Sequence, residues 1–354
     1  MSEKKKLPVG SVIGILGGGQ LGKLLSISAS QLGFKTHIFD PDPKAPAKQV
    51  TNLSSTFDYK DKLALGKFAN SVDVITFEFE NIPVETIQIC EEFTNVFPDI
   101  KSLSICQDRS TEKKFLHEMN IPSSPFVTAK SFHEILQSIN TLEPPLILKT
   151  CRFGYDGKGQ KIIYSKEGIE SVASEFTDTP VILERLIDFK LEISIIICRD
   201  MYGKISVFDP AENQHQNGIL IESKVPANIP FALASDAILI ASKIVNTLEY
   251  VGVMGIEFFV TKDNELLVNE LAPRVHNSGH WTQTGCLINQ FEQHIRAISG
   301  WPIGNGKRHS NVLMQNVLGK SVKALGKNSD SSVNIYGKDD PREGRKMGHK
   351  NYIA

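Results

Sequence analysis

Two apolar, strand-like runs, Met254–Thr261 and Glu265–Leu271, flank the polar turn Lys262-Asp263-Asn264-Glu265. Asp and Asn tolerate the left-handed backbone of tight hairpin turns, so the spacing predicts a hairpin with Asp263-Asn264 as a two-residue loop. That register places Glu257 directly across from Glu270 on one face, with Cβ atoms roughly 4.5–5.5 Å apart. Two facing carboxylates repel, and half-buried they are costly. A hard cation shared between them removes that cost, and carboxylates joined by phosphate oxygens are how Mg2+ is usually held. A wet hairpin face with two solvated glutamates is the alternative the spacing leaves open. The next segment, Ala272-Pro273-Arg274-Val275-His276-Asn277-Ser278-Gly279-His280, tips the balance. It packs a guanidinium, two imidazoles and two neutral polar groups into one short loop, a mixture that structural loops seldom need.

At 354 residues the chain has room for two or three domains with substantial cores. A net charge of −1 and a pI near 6.8 provide no overall field for nucleic acid or an anionic membrane. Any basic site is therefore local. No apolar run approaches the roughly 18–20 residues that span a bilayer, and the N-terminal segment lacks the features of a signal peptide. Five cysteines (Cys90, Cys106, Cys151, Cys198, Cys286) form no CxxC pair and suit a reducing compartment, so a cytoplasmic protein is expected. Cys151 reads as a small buried thiol rather than a nucleophile.

The chain opens as a βαβ unit: a strand Val12–Leu16, a glycine turn, a helix to about Leu32, and a strand Lys35–Asp40. Gly17, Gly19 and Gly22 satisfy GxGxxG and Asp40 lies at a strand end, which makes a nicotinamide-dependent dehydrogenase a rival reading. The same glycines serve any tight strand-to-helix turn near an anion, so they report a doubly wound domain more firmly than a dinucleotide. Asp73–Phe79 is another strand, and Glu78 and Asn81 at its C-terminal end are ligand contacts by position, with Asn81 equally placed to cap a helix starting near Pro83. Val96-Phe97-Pro98 reads as a further strand before the first domain closes near Leu103.

Asp108–Met119 is an amphipathic helix with Phe115, Leu116 and Met119 inward. The strand Leu146–Lys149 ends on a lysine, and Phe153–Lys161 follows with three glycines and two lysines. This describes a hairpin loop able to close over phosphates, and it is not a Walker A loop. Val181–Ile187 and Leu191–Ile197 are strands in which Glu184 and Glu192 either face solvent or line a cleft. Phe208–Gly218 reads as a polar loop carrying an exposed His215. Helices are expected over Phe231–Leu248 and Ile288–Ile298, the second leading the chain out of its domain. Beyond Trp301, Val312–Leu318 is strand-like, and Lys338, Arg342, Arg345, Lys346 and His349 form a local basic patch suited to a phosphate monoester.

The glycine turn, the lysine-ended strand with its GYDGKGQ loop, VILER, the paired glutamates, APRVHNSGHW and GRKMGH occur here in one order. Together they resemble the 5-(carboxyamino)imidazole ribonucleotide synthetase family of ATP-grasp carboxylate–amine ligases, over nearly the whole chain. The resemblance implies an α/β and α+β architecture with an ATP-grasp fold. Its parts are an N-terminal Rossmann-like βαβ domain (1–105), a two-lobed ATP-grasp domain (106–300, lid about 125–190) and a small β-rich C-terminal domain (301–354). It implies that ATP phosphorylates bicarbonate to carboxyphosphate, and that the amine of aminoimidazole ribonucleotide takes the carboxyl group in purine biosynthesis. It implies ATP held by Arg109, Lys149 and the loop Gly154, Tyr155, Asp156, Gly157, Lys158, Gly159 and Gln160. Further nucleotide contacts would come from Glu184, Arg185, Leu186, Ile187, Glu192, His215, Asn269 and Glu270. Glu257 and Glu270 would hold Mg2+, with Mn2+ a possible substitute, while Ala272 stands where many ATP-grasp enzymes carry a further metal-side polar residue. The resemblance places Gln20, Leu21, Glu78 and Asn277 near the ribonucleotide, with Lys338, Arg345 and Lys346 on its phosphate. Tyr155, Asp156, Arg274, His276 and Asn277 would surround the reacting centre, with Asp156 or His276 as proton acceptor. A homodimer is implied, with no nucleic-acid or membrane partner.

Formate-dependent glycinamide ribonucleotide transformylase is the nearest alternative, but it carries Glu in place of Gln20 and Asp in place of Asn277. The dehydrogenase reading leaves the paired glutamates, the glycine loop and the basic patch unexplained.

Overall fold

In the computed structural model, residues 6–154, 159–176, 179–324 and 330–354 are described. The N-terminal run forms a parallel sheet of β1 (Val12–Leu16), β2 (Lys35–Phe39), β3 (Leu53–Ser55) and β4 (Val74–Phe77), in the order β3-β2-β1-β4. Its strands are apolar because helices cover both faces. These helices are α1 (Gln20–Gln31), α2 (Lys62–Ala69), α3 (Val84–Glu91) and α4 (Ile100–Gln107). Asp61 and Asp99 cap α2 and α4 by accepting the Ala64 and Ser102 backbone N–H. Val96 extends the sheet only as an isolated parallel bridge to Ile75. The amphipathic run expected over Asp108–Met119 is helix α5 (Arg109–Glu118), with Asp108 as its cap.

A second sheet contains β5 (Phe126–Ala129), β6 (Leu146–Thr150), β7 (Gln160–Ile163) and β8 (Val181–Arg185), in the order β5-β8-β6-β7. With α6 (Phe132–Ser138) and α7 (Ile169–Ala173) it encloses a separate small core around Ile135, Leu148 and Leu183.

The third sheet takes in β9 (Phe189–Arg199), β10 (Ile205–Val207), β11 (Ala211–Gln216), β12 (Ile219–Val225), β13 (Gly252–Thr261) and β14 (Leu266–Ala272). It also holds β15 (Val312–Leu318), β16 (Ser332–Ile335) and β17 (Lys346–Ile353). The order is β14-β13-β9-β11-β12-β15-β17-β16, with β10 on β9. The C-terminal strands thus prolong the central sheet rather than form one of their own. Helix α8 (Phe231–Thr247) covers its outer face. The short α9 (Thr282–Gly285) leads to α10 (Gln290–Ile298), whose Asn289 cap accepts from Phe291 and Glu292. Helix α10 does not lead away. His294 bonds Thr76 of β4 (2.8 Å) and the Val253 backbone N–H of β13 (3.0 Å), so this helix pins the first sheet to the third.

Two readings of local structure are corrected. Residues 211–216 are a strand, because one face of β11 looks onto a polar cleft and so lacks apolar alternation. Asn217-Gly218, both with positive φ (52° and 75°), makes the hairpin turn. The β13–β14 hairpin has a three-residue loop, Lys262-Asp263-Asn264, with Asn264 at φ 60° and Thr261 paired to Glu265. That extra residue shifts the register by one. A β-bulge at Asn269 shifts it back, since Phe258 pairs with Val268 while Glu257 pairs with Glu270. The two offsets cancel, and the glutamates face each other as the spacing predicts.

Candidate active site

All three sheets contribute to one cleft of about 1070 Å3. Its floor includes Glu257 and Glu270, which continue a row across the third sheet from the buried Ser194. Ser194 of β9 pairs with Glu257 of β13, which pairs with Glu270 of β14. Directly opposed residues share a face, so all three point the same way. The Glu257 and Glu270 carboxylates and the His276 ring have ligand atoms within 4.8 Å of one another. Burial and the neighbouring Glu270 charge push the Glu257 carboxyl up to about 7. Burial opposes ionisation of Glu270 too, but Arg109, which donates to it at 2.9 Å, overrides this and holds it down at about 2. One acid is thus compensated and its partner is not. Asn269, on the bulge between them and the turn, keeps a buried Oδ1 with no hydrogen-bond partner. Oxygen donors of this kind, short of one positive charge, fit a hard divalent cation.

Lys149, at the end of β6, donates to Glu184 of β8 at 3.0 Å, and Lys113 of α5 lies 3.4 Å from the other carboxylate oxygen. Lys113 also donates to the Val268 and Asn269 carbonyls (3.2 and 3.1 Å), so it grips the bulge itself. Burial resists the charge on Glu184, but the two ammonium groups hold it at about 2. Its carboxylate therefore locks lysines in place beneath the cleft wall. Leu186 lines the cleft, whereas Arg185 and Ile187 do not. Gly154, Gly159 and Gln160 line it; Tyr155, Asp156, Gly157 and Lys158 lie outside the described residues.

His215 is not an exposed loop residue. It stands on β11 and is hydrogen-bonded to Glu192, which offsets the effect of burial and raises its pKa. Beside them Phe189 and Phe259 stack at 4.8 Å and 15°, a flat apolar wall within the cleft.

The glycine turn meets the cleft from the first sheet, with Gln20 and Leu21 in the lining. Glu78 accepts the Gly19 and Gly22 N–H groups at 2.6 and 2.9 Å, and Asp40 accepts Gly18 N–H at 2.7 Å. A Cβ on Gly19 would overlap the Glu78 carboxylate. The donors that a dinucleotide pyrophosphate would need are taken by the chain's own carboxylates, which corrects the dehydrogenase reading. Asn81 lines the cleft and caps no helix; α3 begins after Pro83 without a side-chain cap.

In the loop after β14, Arg274 forms a two-pronged ion pair with Glu80, one arm at 3.1 Å. Gln290 brackets the His276 backbone, accepting its N–H (2.9 Å) and donating to its carbonyl (2.7 Å). Burial, then the Arg274 charge, lowers the His276 pKa to about 3, so the ring is neutral. Asn277 is buried with both side-chain polar atoms unpartnered at the cleft. Lys338, Arg342, Arg345 and Lys346 line the cleft together. His349 is corrected: it is absent from the cleft lining, because a register shift at Met347 sets it on the same face as Lys346 but deeper along the strand. There it is buried, stacked on His280 at 4.4 Å and bonded to Tyr336 (2.9 Å), and burial holds its pKa near 3. Cys151 is a buried thiol pushed up to about 11 by burial.

Glu80, Glu112 and Lys113 escape sequence reasoning, since charged residues on an amphipathic helix or strand end usually read as solvated. Glu112 accepts the Leu271 N–H at 2.8 Å, and burial pushes it up to about 8. A departure from helical periodicity was the available signal: Glu112 and Lys113 lie on the inward face with Leu116.

The ATP-grasp domain family matches residues 114–291, the ribonucleotide synthetase preATP-grasp domain 11–107, and the phosphoribosylaminoimidazole carboxylase C-terminal domain 312–354. The chain is 44% identical over 352 residues to N5-carboxyaminoimidazole ribonucleotide synthase of Brucella melitensis, covering 98% of this chain and 97% of that one. The Staphylococcus aureus N5-carboxyaminoimidazole synthetase structure with ADP superposes with a TM-score of 0.95 at 34% identity, covering 99% of this chain and 95% of that one. The Aspergillus clavatus N5-carboxyaminoimidazole synthase structure with ADP and 5-aminoimidazole ribonucleotide does so at 0.90 and 26%, covering 98% and 94%. With three family matches laid end to end along it and near-complete coverage by such relatives, the chain belongs to the N5-carboxyaminoimidazole ribonucleotide synthase family of ATP-grasp ligases.

Proposed function

We propose that the cleft joins bicarbonate to the amine of 5-aminoimidazole ribonucleotide, with ATP consumed and ADP and phosphate released. The observation that carries this reading is the opposed Glu257–Glu270 pair within one cleft that also holds Lys149, Arg274 and the Lys338–Arg345–Lys346 cluster. A triphosphate with its cation and a separate phosphate monoester need two cationic regions, and both are here. Lys346 is close enough to act on the charges of Glu257, His215 and His276, so the two regions adjoin.

The Phe189–Phe259 wall suits a purine base, with Glu192 and His215 beside it for the ribose hydroxyls. Mg2+ on Glu257 and Glu270, or Mn2+ in its place, would neutralise phosphate charge during phosphoryl transfer. Lys149 and Arg274 hold anionic oxygens, Lys149 fixed by Glu184 and Arg274 by Glu80. A bicarbonate oxygen attacks the γ-phosphorus and ADP departs, leaving carboxyphosphate. The ribonucleotide amine then attacks the carboxyl carbon, phosphate leaves, and a base takes the amine proton. Asp156 or His276 serves as the proton acceptor. A closed cleft protects the mixed anhydride from water.

ADP release is expected to need both bicarbonate and 5-aminoimidazole ribonucleotide; release driven by formate and glycinamide ribonucleotide instead would overturn the assignment. Lys346→Ala is expected to raise KM for the ribonucleotide about tenfold or more while KM for ATP changes little, because a charge-assisted phosphate contact is lost. Equal rises in both would remove Lys346 from the phosphate site. Mg2+ alone should raise the melting temperature by mass action. Its affinity should weaken as pH falls through about 7, because protonation of Glu257 competes with the cation; pH-independent affinity would argue against Glu257 as a ligand. We place the protein in the cytoplasm, in keeping with five buried free cysteines among the described residues. We also propose a homodimer, expected to sediment at twice 39.2 kDa.

A further inference from the structure

The Ser194 hydroxyl, in the same row as the paired glutamates, donates to Ser278 Oγ at 2.7 Å. Ser278 Oγ lies 2.8 Å from His276 Nδ1, and the Ser278 backbone N–H also points at Nδ1, at 3.4 Å. A hydroxyl has one proton. Since Ser278 Oγ already accepts from Ser194, that proton is free to go to Nδ1. With two donors aimed at it, Nδ1 is the acceptor nitrogen and Nε2 carries the ring proton. Nε2 faces Glu257, 3.6 Å from Oε1. Ser194 and Ser278 are fully buried, so no water competes for these bonds. The ring is also fixed by packing, since a Cβ on Gly255 would overlap the His276 Cβ, and its backbone is bracketed by Gln290.

We infer that Ser194 and Ser278 are positioning residues that impose one tautomer on His276, so that its Nε2–H is a fixed donor to the reacting anion rather than a base. The inference rests on the reading of the cleft as the ligase site. It separates His276 from the proton acceptor: a ring with Nδ1 doubly hydrogen-bonded and Nε2 already protonated cannot take the amine proton, but it can donate to a carboxyl or phosphoryl oxygen as charge develops there. Ser278 alone would leave its hydroxyl free to rotate and accept from the opposite tautomer. With Ser194 donating to it, a Ser278 oxygen that also accepted from Nδ1–H would leave its own buried proton without an acceptor, so the opposite tautomer is disfavoured.

The test uses full-length protein labelled with 15N-histidine, with the His276 resonances identified by their absence in His276→Asn. In the wild type, Nδ1 is expected at an unprotonated shift and Nε2 at a protonated one; the reverse pattern would overturn the inference without any serine variant. Ser278→Ala is expected to mix the two tautomers and lower kcat roughly tenfold or more, the scale seen when a histidine loses its orienting partner, with both KM values little changed. Ser194→Ala should act in the same direction but less, and the double variant should be no worse than Ser278→Ala, since both act through one ring. Additive losses, or an unchanged kcat in Ser278→Ala, would overturn it. Absence of ribonucleotide-dependent ADP release in the wild type would instead strike the reading of the cleft, while the ring resonances decide the tautomer separately.

Discussion

Replacing Glu270 by Gln is expected to lower kcat by on the order of a hundred- to a thousandfold, the scale lost when a preorganised charge at a reacting centre is removed. The fold should survive. Glu270 faces two charges of opposite sign: it neutralises Arg109 at 2.9 Å and repels Glu257. The amide forfeits the first interaction and relieves the second, so the melting temperature should move little. Glu257, freed of its neighbour's charge, should titrate lower than about 7. A steady-state assay with Mg2+ titration, beside a thermal melt, checks all three. Full activity in Glu270→Gln would end the case for these carboxylates as the cation site.

Glu184→Gln has the opposite profile, in which stability suffers first. Lys113 is fully buried and Lys149 nearly so, and Glu184 is the carboxylate both of them meet. Removing one member of a buried charge network leaves the others uncompensated, at a cost of about 3–5 kcal/mol. The lysine that then moves is the one gripping the Asn269 bulge, so the glutamate pair should lose its alignment and KM for ATP should rise. The pH dependence offers a second check. The folded-state pKa of Glu184, about 2, is depressed below the ordinary value of 4.5. Its contribution, on the order of 3 kcal/mol, is therefore present above pH 4.5 and lost as pH falls toward 2. Wild type should show that loss in denaturant titrations, and Glu184→Gln should lack it. Similar pH slopes in both would mean that Glu184 is not the carboxylate compensating the lysines.

Where local pattern and tertiary role agree, the sequence could be read directly. The amphipathic run from Asp108 is helix α5, and the lysine ending Leu146–Lys149 lines the cleft. The facing glutamates follow from alternation across a hairpin. Their agreement with the structure conceals a compensation, because a longer turn and the bulge at Asn269 each move the register by one residue. Nothing within the hairpin announces that bulge. What holds it is Lys113, on a helix far away in the chain. The polar strand β11 reads as a loop for a related reason: a strand facing a wet cleft lacks the apolar alternation that identifies strands.

The amino-acid order alone determined the parts: the doubly wound opening, the glycine loop, the paired acids and a cationic C-terminal segment. These are properties of neighbours in the chain, set by backbone preference and side-chain chemistry within a few residues. Which charges act on a ligand and which are consumed within the protein was decided only by folding. Glu78 turned to the glycine N–H groups, Glu184 to two lysines, Glu80 to Arg274, and His349 to a buried stack on His280. The physical reason is that a buried charge must find its partner wherever the fold supplies one, and here each partner lies in a distant segment of the chain.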